Sequence, residues 1–393
     1  MKSQMRSGSE PAVAQPTQKT ALESSLPILP WAQQLRRGLV TLEQLEERGW
    51  LEAPAHTKEF AIAQSALDIR VPVAFHEGIL RGDTSLAKQF IPSLQEALIA
   101  REELNDPIGD ETYSPVAGLT HRYPDRVLVK ITYQCAVYCR FCFRRHKVSH
   151  AEENLSYEAL EDAYKYIENN SKIKEVIFTG GDPLVLTDAR LEPHLKRVET
   201  IGHVESVRFH TRVPVALPER ITLTLCERLA TLRTLPWIVI HANSASELTP
   251  AALTAIAQLR RAGLPLALQS VLLKGVNASA DALEALWRAF YRIGVKPYYL
   301  HYPDLAKGTH HFRIPLSEAV KLMTSLHGRL PGLALPQLTV DIPGGHGKIH
   351  VTSESCQLIS SASDEQGERW RMRSPLSEKW VDVAYPTTTK QSS

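Results

Sequence analysis

The sequence predicts an α/β protein: an open, partial (β/α)6-type barrel with a helical N-terminal extension and a short C-terminal extension. Three observations lead there. Seven segments rich in β-branched and aromatic residues, each bounded by turn signals, read as strands: RVLVKITYQ, EVIFTGGDP, SVRFHTR, WIVIHAN, PLALQSVLL, KPYYLHYPD and LPQLTVDIP. Amphipathic helical patterns lie between them. The clearest are YEALEDAYKYIENN and TPAALTAIAQLRRAG, the second opening with Thr249 as cap and Pro250 at the first helical position. From the second strand onward the units recur at roughly thirty residues, the size of a βαβ repeat, which requires parallel strands. Six such units and one further strand fall short of the eight that close an α/β barrel, so the sheet is expected to stay open, with its site at the C-terminal strand ends.

Taken in order, residues 1–28 are rich in Ser, Gln, Pro and Ala without apolar periodicity and read as a disordered tail. Residues 29–113 read as the helical extension, apolar at three- and four-residue spacing in LVTLEQLEERGWLE and TSLAKQFIPSLQEALIAREEL. The Pro- and Gly-punctuated segment SPVAGLTHRYPDR leads into the barrel, assigned to residues 114–349. Residues 350–393 follow as the C-terminal extension, where WRMRSPLSEKWVDVAYP fits a hairpin. A formal net charge of +2 over 393 residues gives no electrostatic case for nucleic acid or an anionic membrane as partner. No apolar run approaches a bilayer span, and the N-terminus lacks the apolar core of a secretory signal, so a cytoplasmic protein is expected. Five cysteines, three of them clustered, fit a reducing compartment in which thiols bind metal. Cys226, in an apolar helical pattern, reads as a small buried hydrophobe, and Cys356 is spare.

The cluster is Cys135-Ala-Val-Tyr-Cys139-Arg-Phe-Cys142, directly after the first strand. Three thiolates in CxxxCxxC spacing can ligate three irons of a four-iron cluster and leave one iron open to a ligand that is also a reactant. A closed, tetrahedral zinc site with His146 as fourth ligand is the competing reading. The second strand ends in Gly180-Gly181-Asp182-Pro183, a tight turn whose glycines let backbone approach a ligand. Asp341-Ile-Pro-Gly-Gly-His-Gly-Lys348 is glycine-rich, but a phosphate loop needs Ser or Thr after its lysine and here Ile349 follows. A lysine on a flexible glycine loop can instead reach into a pocket and form a Schiff base with pyridoxal phosphate; an exposed turn lysine is the plain alternative. Asp304 and Asp341 end the sixth and seventh strands, so both should point over one barrel mouth. Two like charges there raise each other's pKa unless a cation lies between them, and the side chain of a basic amino acid supplies one.

Together, CAVYCRFCFRR, GLTHRYPDRVL, TGGDPL, HYPDLAKGTHHFR and DIPGGHGK resemble, in order, the lysine 2,3-aminomutase family of radical S-adenosylmethionine (radical SAM) enzymes, from Ser114 to Lys348. The resemblance implies a radical SAM barrel with a 4Fe-4S cluster on Cys135, Cys139 and Cys142, and S-adenosyl-L-methionine meeting Gly180, Gly181 and Asp182. His241 and Gln269 match positions near the adenosyl group. Lys348 matches the lysine that carries pyridoxal 5′-phosphate, with Arg122, Tyr123 and Arg126 as further cofactor contacts. Arg144 matches the arginine that grips the substrate carboxylate, and Asp304 and Asp341 match aspartates that read the distal ammonium of lysine. The implied activity is an isomerase that moves the α-amino group of a basic amino acid, L-lysine first, to the β-carbon through a pyridoxal phosphate aldimine and a 5′-deoxyadenosyl radical. A reductant such as flavodoxin or ferredoxin and a homo-oligomer, dimer or tetramer, are implied with it. Alternatives within the family are a β-lysine-forming mutase serving elongation factor P modification and an arginine 2,3-aminomutase; from a different class, a zinc-stabilised binding module without catalysis. Well-known family members carry further cysteines after the pyridoxal loop for a structural metal. Only Cys356 follows Lys348 here, so no such site is expected.

Overall fold

The computed structural model describes residues 31–38, 40–361 and 367–386; the tail expected over residues 1–28 lies outside them. The N-terminal extension is a run of short helices: α1 Trp31–Arg37, α2 Leu42–Glu47, α3 Lys58–Ala66, α4 His76–Leu80 and α5 Thr84–Phe90. They are shorter than the apolar periodicity suggested, for local reasons. Thr41 opens α2 with a reciprocal capping box to Gln44, but Gly49, at φ +68°, turns the chain two residues after the helix. The second pattern yields only α5, because Pro92 lacks the N–H that another turn would need, and the chain continues as a 3₁₀ turn over Leu94–Ala97.

The barrel is a nine-stranded sheet in sequential order: β1 Leu119–Tyr123, β2 Arg126–Thr132, β3 Glu175–Gly180, β4 Ser206–Thr211, β5 Leu235–His241, β6 Leu266–Val271, β7 Lys296–His301, β8 Gln337–Ile342 and β9 Gly347–His350. Strands β2 to β8 are parallel and correspond to the seven segments expected. β1 and β9 are antiparallel additions at the two edges and do not pair with each other, so the barrel is open. The crossovers carry α6 Tyr157–Glu168, α7 Asp188–Glu199, α8 Val213–Ala216, α9 Leu223–Ala230, α10 Pro250–Arg261, α11 Ala280–Arg292 and α12 Leu316–Leu326. Each long crossover helix buries one stripe on the sheet: Leu283, Leu286, Trp287 and Phe290 of α11 recur at three- and four-residue spacing and are wholly buried.

Strand alternation then divides the side chains. On β4, Val207 and Phe209 pack in the hydrophobic core, while Arg208 and His210 line the interior cavity. Two elements differ from expectation. The segment expected to be a punctuated lead-in forms β1, whose Thr120 pairs with Leu128 of β2. The flexible glycine loop expected around Lys348 is a β-hairpin: Gly344 and Gly345, both at positive φ, make the turn, and Lys348 sits in β9 opposite Asp341 of β8. Beyond it, β10 Cys356–Ser360, β11 Glu368–Arg373 and β12 Trp380–Tyr385 form a separate antiparallel sheet, the expected hairpin being β11–β12. Cys226 is buried in the core as expected, and so is Cys356. No helix among the described residues is long and apolar enough to cross a membrane.

Candidate active site

A cavity of about 660 Å³ runs through the barrel interior. The residues that the resemblance assigns to the site all line it: Cys135, Cys139 and Cys142 on the loop after β2; Gly180, Gly181 and Asp182 at the end of β3; His241 and Gln269 on β5 and β6; Arg122, Tyr123 and Arg126 around the β1–β2 turn; and Arg144, Asp304, Asp341 and Lys348. His146, which a zinc site would need, is not among the lining residues; its Nε2 lies 4.0 Å from Glu111 Oε1. Among the described residues no three such side chains are gathered into a single-ion cage.

The cysteine loop is tied down from the N-terminal extension. Arg140, between two of the cysteines and wholly buried, donates from Nη2 to Glu96 Oε2 at 2.7 Å and to the Ala63 carbonyl, and from Nη1 to the carbonyls of Leu67 and Asp68. Arg145 Nη2 reaches the same carboxylate at 2.6 Å, and Arg70 donates to the Cys135 carbonyl. Although burial opposes it, Arg140 and Arg145 hold Glu96 below the ordinary carboxylate range. On the other side of the loop, Arg212 Nη1 lies 2.8 Å from Cys139 Sγ, while Glu247 and Gln89 hold the rest of its guanidinium. Burial pushes all three cysteine thiols up, Cys142 to about 11.

The glycine turn has a further reason within the protein itself. A Cβ on Gly181 would meet Gln134 O at 2.2 Å, and one on Gly180, at φ +102°, would meet Thr132 O at 2.6 Å. The missing side chains therefore let the end of β3 approach the start of the cysteine loop. Asp182 is likewise engaged within the protein: its carboxylate accepts from Leu184 N–H, Thr211 Oγ1, Arg212 N–H and Val213 N–H at 2.6–3.2 Å, so this turn offers a ligand its backbone rather than that side chain.

At the β8–β9 wall, Lys348 Nζ donates to Asp341, and lies 3.2 Å from His301 Nδ1 and 5.7 Å from the Tyr299 ring centroid. Its backbone N–H donates to Tyr123 Oη at 2.7 Å, which joins β9 to β1. Arg122 sits between two acids, Asp341 at 3.4 Å and Asp110 at 3.5 Å. Asp110 also accepts from Arg144 Nε at 2.8 Å, and Arg144 Nη1 donates to Thr179 Oγ1 at 3.2 Å, which leaves Arg144 Nη2 for a ligand. Burial first, and the Asp341 charge second, push Asp304 up to about 7. His241 is half-buried and neutral, pushed down to about 3 by desolvation and by Arg212, and its enclosed Nε2 has no protein partner.

Sequence reasoning missed Asp110, Arg208, His210, Arg212, Tyr299 and His301. Strand alternation was a usable signal for four of them: Arg208 and His210 share a face of β4, and Tyr299 and His301 a face of β7 leading to Asp304. Asp110 carries no local signal, because its partners Arg122 and Arg144 lie on other elements.

Residues 129–286 match the model of the Radical SAM superfamily. The L-lysine 2,3-aminomutase of Methanococcus maripaludis is 43% identical over 283 residues, 72% of this chain and 65% of that protein. The chain's match thus spans a little under two thirds of that relative's length. The L-lysine 2,3-aminomutase of Clostridium subterminale is 36% identical over 339 residues, 85% of this chain and 80% of that one. The glutamate 2,3-aminomutase of Clostridioides difficile is 36% identical over 274 residues, 70% of this chain and 64% of that one. From these matches and the open barrel that carries the cysteine loop, the chain belongs to the lysine 2,3-aminomutase family of the radical SAM superfamily.

Proposed function

We propose that this chain is a radical SAM aminomutase that moves the α-amino group of a basic amino acid, L-lysine first, to the β-carbon to give β-lysine. One observation carries the reading: a single cavity has three cysteines on one wall and, on another, a lysine with two carboxylates, Asp304 and Asp341. The side chains present fit the groups this reaction needs. Cys135, Cys139 and Cys142 supply three thiolates for a 4Fe-4S cluster and no fourth, which suits an open iron that S-adenosyl-L-methionine would occupy. The backbone at Gly180 and Gly181 and the partnerless Nε2 of His241, with Gln269 beside it, are positioned to meet that ligand, since a buried polar atom without a protein partner is what a ligand satisfies. Lys348 supplies the amine for pyridoxal 5′-phosphate, with Arg126, Arg122 and Tyr123 as phosphate and ring contacts. Bound, these cofactors supply the radical and the imine that nitrogen migration requires.

The remaining work falls to the chain's own residues. Asp110 orients Arg144 so that Nη2 can take the substrate carboxylate, and the Asp304–Asp341 pair takes the distal cation. Two carboxylates at that end repel the side chain of glutamate, the substrate named for the Clostridioides difficile relative, which favours a basic amino acid here. An external reductant such as flavodoxin or ferredoxin, a cytoplasmic location and self-association belong to the same proposal.

The test is anaerobic. The protein is reconstituted with iron, sulfide and pyridoxal phosphate, given S-adenosylmethionine and dithionite, and offered lysine, arginine, ornithine and glutamate in parallel, with products read by chiral derivatisation. β-Lysine is expected to dominate. Cleavage of S-adenosylmethionine with no β-amino acid from any basic substrate overturns the substrate reading, and a colourless protein overturns the cluster.

A pH dependence follows from Asp304. A cation binds its ionised form, and that form is lost below about 7. The KM for lysine is therefore expected to rise as pH falls through 7, by up to about tenfold per pH unit. In Asp304→Asn the dependence should flatten; a wild-type KM that is constant between pH 8 and 6 contradicts it.

A further inference from the structure

We propose that His301 is the proton acceptor and donor for Lys348 Nζ when that amine is joined to, and released from, the aldehyde carbon of pyridoxal phosphate. This rests on the reading of Lys348 as the pyridoxal lysine and adds a catalytic residue to it. The pair is set by register across three strands: His301 of β7 lies opposite Thr339 of β8, and Lys348 of β9 lies opposite Asp341, two residues further along β8. That brings His301 Nδ1 to 3.2 Å from Lys348 Nζ, with Thr339 Oγ1 3.3 Å from His301 Nδ1.

The amine must lose a proton before it can attack a carbonyl carbon. Its two polar neighbours differ in what they can do about that. The Asp341 carboxylate, in contact with Nζ, stabilises the ammonium by its charge. The imidazole is neutral, and it can take the proton on a ring nitrogen that is already within hydrogen-bond reach of the reacting atom. Burial keeps His301 neutral, with the charge of Lys348 as the next cause and His241 and His210 after it. Transfer of the proton from lysine to histidine removes the second cause, because only one of the two then carries the charge. Asp341 on β8, Asp304 past the end of β7, His350 on β9, Arg208 on β4 and Tyr299 on its own strand line the same cavity, the Tyr299 ring 5.4 Å from that of His301 between centroids.

The step balances without any other reactant. Lys348 ammonium gives one proton to His301 Nδ1, and the freed lone pair forms the N–C bond to the aldehyde carbon. A nitrogen proton passes to the carbonyl oxygen, which becomes a hydroxyl. His301 returns its proton to that hydroxyl, which leaves as water as the N=C bond forms with the positive charge on nitrogen. Release is the reverse, with the substrate amine in the place of water, so the histidine ends each exchange neutral.

The experiment uses the full chain freed of cofactor and mixed with pyridoxal 5′-phosphate in a stopped-flow spectrophotometer, with borohydride trapping and peptide mass locating the adduct. The wild type is expected to form a lysine-bound chromophore at Lys348. In His301→Gln, close to histidine in volume, the same final amplitude should appear with a rate lower by about 10²-fold or more. In His301→Ala, added imidazole should restore part of the rate, which a purely structural role would not permit. If the alanine variant does not fold, His301→Gln decides. A glutamine variant within twofold of the wild-type rate overturns the role of His301 and leaves the pyridoxal reading standing. A wild type that forms no adduct at Lys348 overturns that reading, and this inference with it.

Discussion

Lys348→Ala is expected to abolish β-lysine formation, by about 10⁴-fold or more, the scale on which loss of a group that bonds covalently to the reacting system is felt. The same variant should keep its iron and still cleave S-adenosylmethionine when reduced. The two outcomes separate because the two chemistries sit on different walls: the cysteines follow β2 and are tied to the N-terminal extension through Arg140 and Glu96, whereas Lys348 belongs to the β8–β9 hairpin. Removing the amine leaves Asp341 with Arg122 as its remaining cation at 3.4 Å, so the hairpin keeps an ion pair and the variant should fold. Iron content, the electron paramagnetic resonance signal of the reduced cluster and a chiral product assay give the three readouts. Residual mutase turnover above one percent sinks the assignment of Lys348; loss of iron along with activity indicates that the two walls are not independent.

Asp304→Asn and Asp341→Asn should each lower kcat/KM for lysine, and they should not be equivalent. Truncating one member of a buried charge contact costs about 2–5 kcal/mol, or roughly 30-fold to several thousand-fold in kcat/KM. Asp304 makes no ion pair with Lys348, so its replacement should raise KM for lysine while the rate of pyridoxal attachment stays as in the wild type. Asp341 contacts both Lys348 and Arg122. Its replacement should slow pyridoxal attachment as well as weaken substrate binding. Identical effects of the two variants on attachment would contradict the division of labour between the two aspartates. Undiminished lysine turnover in both would remove the case for a basic substrate.

The barrel was legible because its seven parallel strands read as compact β-branched and aromatic runs bounded by turn signals. What sequence obscured was the pair of edge strands. LTHRY carries only one strongly apolar residue and sits between a Gly and a Pro-Asp turn, so β1 looked like a lead-in; it is held by pairing with β2 rather than by its own pattern. The four residues of β9 follow two glycines whose positive φ angles make a tight turn, and turn chemistry concealed that the next residues return to the sheet. The candidate site was legible where residue types cluster locally, as in the cysteines, the glycine turn and the lysine loop. The supporting side chains were not, because each is an ordinary residue in an ordinary segment until the fold brings its partner to it: Asp110 to Arg144, Arg212 to Cys139, His301 to Lys348.

The open barrel has a mechanical consequence. Its two free margins, β1 and the β8–β9 hairpin, have no backbone ladder between them, yet three contacts stitch them: Lys348 N–H of β9 to Tyr123 Oη, Arg122 of β1 to Asp341 of β8, and, between backbone groups just outside the strands, Gly344 N–H to the Pro107 carbonyl at 3.1 Å. Four of these residues, Arg122, Tyr123, Asp341 and Lys348, also line the cavity. A ligand that engages both margins would act as a zipper slider across the seam, and its binding free energy would become resistance to unzipping. Amide hydrogens at these two margins should then be the ones whose exchange slows most when such a ligand is bound, while those of the central strands, sealed on both sides already, should change little.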